Sequence, residues 1–424
     1  MKHHLTTLST GLRVLSVPMP SLPSATVTIW VKTGSRNEEV RVNGISHFLE
    51  HMTFKGSRRR PSAREISEAV DAIGGEFNAG TSKEWTNFYI KARSANLETA
   101  FDVLSDMVLN PLLEEVEIER EKGVIVEEIA MYEDTPMYRI GDIFEQLIFN
   151  GSSLGWDIAG TEKSVRSIKK EDFERYRKIH YYADNILLTV AGGVKENEVL
   201  NLAKKYFSDI ESKPLAFKSS VFKSRQNSPQ LKLHSKKKEQ AHFILGFRGN
   251  PMGHKDRFTD AVLSSVLGGG MSARLFIEVR ERRGLAYAIK NEVEKLSDTG
   301  YVATYAGVDV KKAEEAIKVV LDQHYGLAQK RYKIFDKELR KAKEYLKGHL
   351  ALALEDTHAV SDFFGLRELL LGKAETPEEI FKAIDTVTME EVYEEAERLF
   401  KPQGLNLAII GPYNDQGKFE KLLK

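Results

Sequence analysis

Ser167–Val194 reads SIKKEDFERYRKIHYYADNILLTVAGGV, and Thr386–Tyr413 reads TVTMEEVYEEAERLFKPQGLNLAIIGPY. Without a gap, a single offset of 219 carries Glu171 onto Glu390, Phe173 onto Val392, Leu187 onto Asn406 and Gly192 onto Gly411. Each copy reads as a short amphipathic helix, a turn and an apolar strand ending in glycine. The same elements in the same order, twice in one chain, point to a duplication.

The wider order agrees. Each half opens on an apolar strand, Ala25 to Lys32 and Ala241 to Arg248, and continues into helical patterns. Between the halves, Glu211 to Gln230 is rich in Ser, Lys, Gln and Pro, which reads as a linker. The expected division is a domain over 1–212, a linker over 213–228 and a related domain over 229–424. In the first half, GLRVLSVPMP and SATVTIWVKTGS read as paired strands. FNAGTSKEWTNFYIKA reads as a hairpin turning near Ser82-Lys83, and AREISEAVDAIGG as a helix stopped by Gly74-Gly75. The fold class is α+β: two homologous domains, each a mainly antiparallel sheet with helices packed on one face.

Composition narrows the function classes. In 424 residues, 62 Lys+Arg balance 62 Asp+Glu, so no overall charge draws the chain toward nucleic acid or an acidic membrane. Cysteine is absent, which removes disulfides, thiol nucleophiles and thiolate metal sites; any metal must be held by His and carboxylate. The start, Met1-Lys2-His3-His4, lacks a signal peptide's apolar core, and no apolar run approaches the ~18 residues that span a bilayer. A soluble, cytoplasmic protein is expected. The Arg58–Arg60 run reads as a solvated loop, with binding of acidic substrates as the alternative.

GISHFLEHMTFKGS, from Gly44, carries the chemistry. Ile45, Phe48, Leu49 and Met52 form the core-facing stripe of a helix, with His47, Glu50 and His51 on the opposite side. His47 and His51 are one turn apart, so both imidazoles can reach one cation, and Glu50 lies beside them. Two histidines plus one carboxylate form an open zinc set with a fourth position for water. Two incidental histidines on a polar face are the alternative, and a third ligand decides. EIEREKGVIVEEIAMYED supplies candidates: Ile118, Glu121, Ile125, Glu128 and Tyr132 share a face, placing two carboxylates in an apolar stripe. Glu127 lies about 100° round that helix and reads as solvated.

These two stretches resemble the zinc site of the inverzincins, the family of pitrilysin, insulin-degrading enzyme and the mitochondrial processing peptidase, with its H-x-x-E-H order. The resemblance places the third zinc ligand at Glu128 and a supporting carboxylate at Glu121. GGEFNAGTSKEWTNFYI is similar to the family's edge-strand segment, which implies that Phe77, Asn78, Ala79 and Gly80 pair with the peptide substrate. LGGGMSARLFIEVRERRGLAYAI resembles its glycine-rich segment followed by R-x₆-Y, which implies that Arg280 and Tyr287 contact the substrate and the tetrahedral intermediate. Without the family, Arg280 is one arginine in a basic run.

The resemblance implies a zinc metalloendopeptidase: one Zn²⁺ per chain on His47, His51 and Glu128, with Glu50 as general base on the metal's water. It also implies that the second domain, which has no H-x-x-E-H, is the non-catalytic copy. A chain of this length would then act as a homodimer enclosing a chamber, each copy's Arg280 and Tyr287 serving the partner's zinc. Oligopeptides or unfolded, presequence-like peptides are the expected substrates. A catalytically silent binding or assembly subunit of the same fold is the alternative, as is a hydrolase acting on something other than peptides.

Overall fold

In the computed structural model, residues 1–213 and 220–423 are described; 214–219, in the first half of the expected linker, lie outside them. Six strands form the first sheet: β1 (His4–Thr7), β2 (Arg13–Pro18), β3 (Ser24–Val31), β4 (Glu76–Thr81), β5 (Thr86–Arg93) and β6 (Ile186–Gly192). Their order is β1-β2-β6-β3-β5-β4. The second sheet contains β7 (Gln230–Ser235), β8 (Gln240–Gly249), β9 (Ala286–Lys295), β10 (Gly300–Asp309) and β11 (Asn406–Gly411), in the order β7-β11-β8-β10-β9. Apart from β1, the two sheets share one topology. In each, a late strand enters next to the first, parallel to it on one side and antiparallel to the next strand on the other. Those late strands, β6 and β11, are the two related by the 219-residue offset.

The expected pairing of the first two long strands is corrected by this order. β2 and β3 do not touch as neighbours; β6 lies between them. All seven residues of β6 are buried, and a strand apolar on both faces belongs in the interior of a sheet rather than at its rim.

Alternation along β3 explains how the first sheet is covered. Ala25, Val27, Ile29 and Val31 point into a core completed by Phe88, Ile90, Phe101, Leu104 and Val199. Thr26, Thr28 and Trp30 point the other way and are also fully buried. The helix Thr357–Leu371 lies on them: Thr357 bonds Thr26 at 2.8 Å, and Ser361 bonds Thr28 at 2.8 Å and Thr189 at 2.6 Å. Small residues at one-turn spacing allow this approach. A Cβ at Gly365 would stand 2.5 Å from Trp30 Nε1.

The chain accordingly divides into two compact units that depart from contiguous halves in two places. The first unit comprises Met1–Ala130, Trp156–Ser220 and Leu352–Pro377, so its sheet is covered by a helix from late in the chain. The second comprises Met131–Gly155, Val221–Ala351 and Glu378–Lys424. Its sheet carries the early helix Pro136–Ile148, whose Ile140, Ile143 and Phe144 pack with Ala303, Ala408 and Ile410. Each half thus supplies helices to one face of its own sheet and one helix to the other sheet. No helix among the described residues is long and apolar enough to cross a membrane.

Candidate metal centre

The helix Ile45–Thr53 is fixed from three sides. Ile45, Phe48, Leu49 and Met52 are buried with Ile118, Ile125 and Phe173. At its start, Gly44 has φ +96°, and a Cβ there would meet Ala159 O at 2.5 Å. Glycine offers no side-chain cap, and Glu38 supplies one from six residues upstream. Its carboxylate accepts from Gly44 N at 2.7 Å, Ser46 N at 2.9 Å and Asn43 Nδ2 at 2.8 Å. Burial pushes the Glu38 carboxyl up, while those hydrogen bonds pull it down. Ser46 also bonds the Tyr176 hydroxyl at 2.7 Å, which bonds Thr33 at 2.9 Å.

So mounted, the helix presents His47 and His51 to the helix Glu115–Asp134. His47 Nε2 and His51 Nε2 are 3.2 Å apart, and Glu128 Oε2 lies 3.7 and 3.6 Å from them. A tetrahedral zinc ion with ligands about 2.0–2.1 Å away separates its ligand atoms by about 3.3–3.4 Å. The triangle fits that edge length, and these three residues are the metal-capable group found among the described residues. Burial, with His51 as the second cause, pushes the His47 imidazole down to about 3, leaving the ring neutral as a ligand must be.

Glu121 does not join the triangle. It accepts from His51 Nδ1 at 2.9 Å and holds Lys55 Nζ at 2.6 Å on its other oxygen. Burial raises its carboxyl, and the bonds from His51 and Lys55 outweigh that and hold it below the ordinary value. With the Nδ1 proton committed to Glu121, His51 turns a bare Nε2 lone pair toward Glu128. Glu127 is exposed.

Glu50 is half-buried beside the triangle. Thr81 Oγ1 donates to its Oε2 at 2.5 Å. Burial raises the Glu50 carboxyl, with the Thr81 bond acting in the opposite direction. Thr81 ends β4, an edge strand of the first sheet, which also carries Phe77, Asn78, Ala79 and Gly80. Phe77 and Ala79 pack on the core, and Asn78 is exposed.

Arg280 and Tyr287 belong to the second unit. Arg280 sits in a π-helical turn, Phe276–Glu281, and its guanidinium lies 5.6 Å from the centre of the Tyr287 ring. Tyr287 is 77% exposed. The structure brings this pair together as neighbours.

The arginine run has an internal explanation. Arg59 and Arg60 both pair with Asp102, and fully buried Asp106 accepts from Ser57 Oγ at 2.6 Å and Arg59 N at 3.0 Å. Sequence reasoning missed Glu38, Lys55, Thr81 and Tyr176. Only Lys55, one turn beyond His51, carried a local signal.

Residues 13–162 match the family described as Insulinase (Peptidase family M16), and residues 167–346 match the Peptidase M16 inactive domain. The chain is 38% identical over 406 residues to zinc protease YmxG of Bacillus subtilis, covering 96% of this chain and 97% of that one. It is 34% identical over 415 residues to a zinc protease of Rickettsia felis, covering 98% of each. Among solved structures, a protease from Helicobacter pylori superposes with a TM-score of 0.92 at 24% identity, over 97% of this chain and 99% of that one. The Pseudomonas fluorescens structure described as a peptidase M16 inactive domain gives 0.90 at 18%, over 98% and 99%.

Proposed function

This chain belongs to peptidase family M16 and is a zinc protease, and we propose that it is an endopeptidase using Glu50 as its general base on extended oligopeptides or unfolded, presequence-like segments. The observation that carries the reading is the His47–His51–Glu128 triangle, with edges of 3.2–3.7 Å.

In this reading His47, His51 and Glu128 hold one zinc ion per chain. When bound, zinc would polarise a scissile carbonyl and lower the pKa of a water molecule toward ~7. Glu50 takes the proton of the attacking water and returns it to the leaving amine. Its partial burial supports this role, because a carboxyl raised by burial is the stronger base. Glu121, braced by Lys55, keeps the His51 ring in one tautomer.

Peptide binding is assigned to β4. An edge strand offers main-chain groups to an extended chain and so recognises it with little regard to side-chain sequence. Arg280 and Tyr287 are assigned to the oxyanion in a homodimer, each copy's pair serving the other's zinc. Their mutual stacking supports action as one group, and the exposure of Tyr287 leaves it accessible. Losing a donor of this kind typically lowers turnover by ~10²–10³.

Zinc content and cleavage of a quenched, unstructured peptide of about twenty residues test the reading, with wild type beside Glu50→Gln. One zinc in each protein and cleavage only by wild type is the expected result. Cleavage by pure Glu50→Gln protein would falsify it.

A further inference from the structure

We propose that Thr81 is a positioning residue for the base: its hydroxyl fixes the Glu50 carboxylate, so that the strand receiving the peptide also sets the group that activates water. The inference rests on the reading of Glu50 as general base.

The bond is specific. Among the described residues no other group donates to the Glu50 carboxylate; Thr53, one turn on, donates to the Glu50 backbone carbonyl instead. Binding Oε2 leaves Oε1 free, so the carboxylate presents one oxygen rather than two interchangeable ones. A glutamate reaching a reaction centre through three rotatable bonds needs such a tether to stay in productive geometry.

Thr81 is also mounted more firmly than a hairpin end requires. It pairs with Thr86 across β4 and β5, and Ser82 N bonds Trp85 O at 2.8 Å to close the turn. A second segment grips the same turn from outside. Ser35 N donates to Ser82 O at 3.1 Å, and Arg36 N to Lys83 O at 2.9 Å. The Arg36 guanidinium meets Glu84 at 2.5 Å in a buried ion pair, and Lys83 Nζ donates to Trp156 O at 2.6 Å. A Cβ at Gly34 would stand 2.1 Å from Ser82 O, so the two backbones touch. This clamp holds the end of β4 still. Its effect at the site passes through the Thr81 hydroxyl, the group at that end which reaches Glu50.

The test compares Thr81→Val, which keeps shape and strand preference but removes the donor, with Thr81→Ser, which keeps the donor. Expected for Thr81→Val is a kcat ~10–100-fold below wild type, the range for losing an outer-shell partner. KM, zinc stoichiometry and melting temperature should be unchanged, and Thr81→Ser should restore most of kcat. Affinity for a labelled, uncleaved peptide should be equal in Glu50→Gln and Glu50→Gln/Thr81→Val. Wild-type kcat in Thr81→Val overturns the inference. So does a Thr81→Ser variant as slow as Thr81→Val, or loss of zinc or peptide affinity in the valine variants, which would make Thr81 part of the strand and nothing more. If wild type cannot cleave, or Glu50→Gln can, the reading of Glu50 itself fails and the inference falls with it; an active wild type and a silent Glu50→Gln confine any failure to Thr81.

Discussion

Glu121 Oε1 lies 2.9 Å from His51 Nδ1, and that one bond settles which nitrogen of the imidazole faces Glu128. Replacing Glu121 by Gln keeps the shape but lets the ring choose either tautomer. Zinc affinity is expected to fall by ~10–100-fold, read by competition with a chromogenic chelator. Glu128→Gln should lose zinc altogether. Glu127→Gln should bind it as wild type does, because Glu127 faces solvent. Equal losses at 127 and 128 would reassign the third ligand.

The Arg36–Glu84 pair is buried on both sides, with side-chain exposures of 3% and 8%. Removing Glu84 takes from Arg36 a buried opposite charge, so Glu84→Ala should lower stability in urea unfolding, by up to about 3–5 kcal/mol. A Glu84→Met/Arg36→Met double variant should recover a large part of that, since neither charge is then buried. A Glu84→Ala protein with an unchanged unfolding midpoint would show that the pair contributes nothing.

Acid should find a weak point at His324. Its Nδ1 donates to Val320 O at 2.7 Å inside the core, and burial depresses the imidazole to about 4. The unfolded chain, with a pKa near 6.5, therefore binds the proton first. His324 contributes stability above pH 6.5 that drains away as pH falls toward 4, amounting to about 3 kcal/mol. Asp260, raised by burial to about 7, has the opposite slope over that range. The expected signature is thus a difference: the stability gap between wild type and His324→Gln should shrink or reverse on acidification from pH 7 to 4. A gap independent of pH would refute the assignment.

At Gly365 the covering helix meets Trp30 with no room for a side chain. Gly365→Val should cost about 1–3 kcal/mol through overpacking, despite valine's lower flexibility in the unfolded state. Thermal unfolding checks this directly. A rise in melting temperature would mean that the helix and sheet can part without penalty.

The duplication could be seen in sequence because β6 and β11 are continuous apolar strands preceded by helices at a fixed offset. The metal group was legible because its spacing is local: His47, Glu50 and His51 share one helix face, and Glu121 and Glu128 share another. What sequence concealed was contact between distant residues. Glu38 caps a helix six residues away through its side chain, which no periodicity records. Thr26 and Thr28 alternate with apolar neighbours as in a strand with one wet face, yet that face is buried beneath Thr357 and Ser361, more than 300 residues later. Hydroxyls facing hydroxyls leave the same pattern as hydroxyls facing water. The strand order failed for a related reason: β2 and β3 are adjacent in sequence, and nothing local announces that β6 will come between them.

The late helix on the first sheet also imposes a schedule on synthesis. The sheet's last strand ends at Gly192, and its covering helix begins at Thr357, roughly 165 residues later. At ~5–20 residues per second, a ribosome takes about 8–33 s to cross that interval. Throughout it the nascent sheet carries one face without its lid. The hydroxyls of Thr26, Thr28 and Thr189 can bond water while they wait, where aliphatic side chains in their place would leave the face apolar throughout. A row of hydroxyls that looks like an extravagance in the finished fold is thus suited to the half-made one.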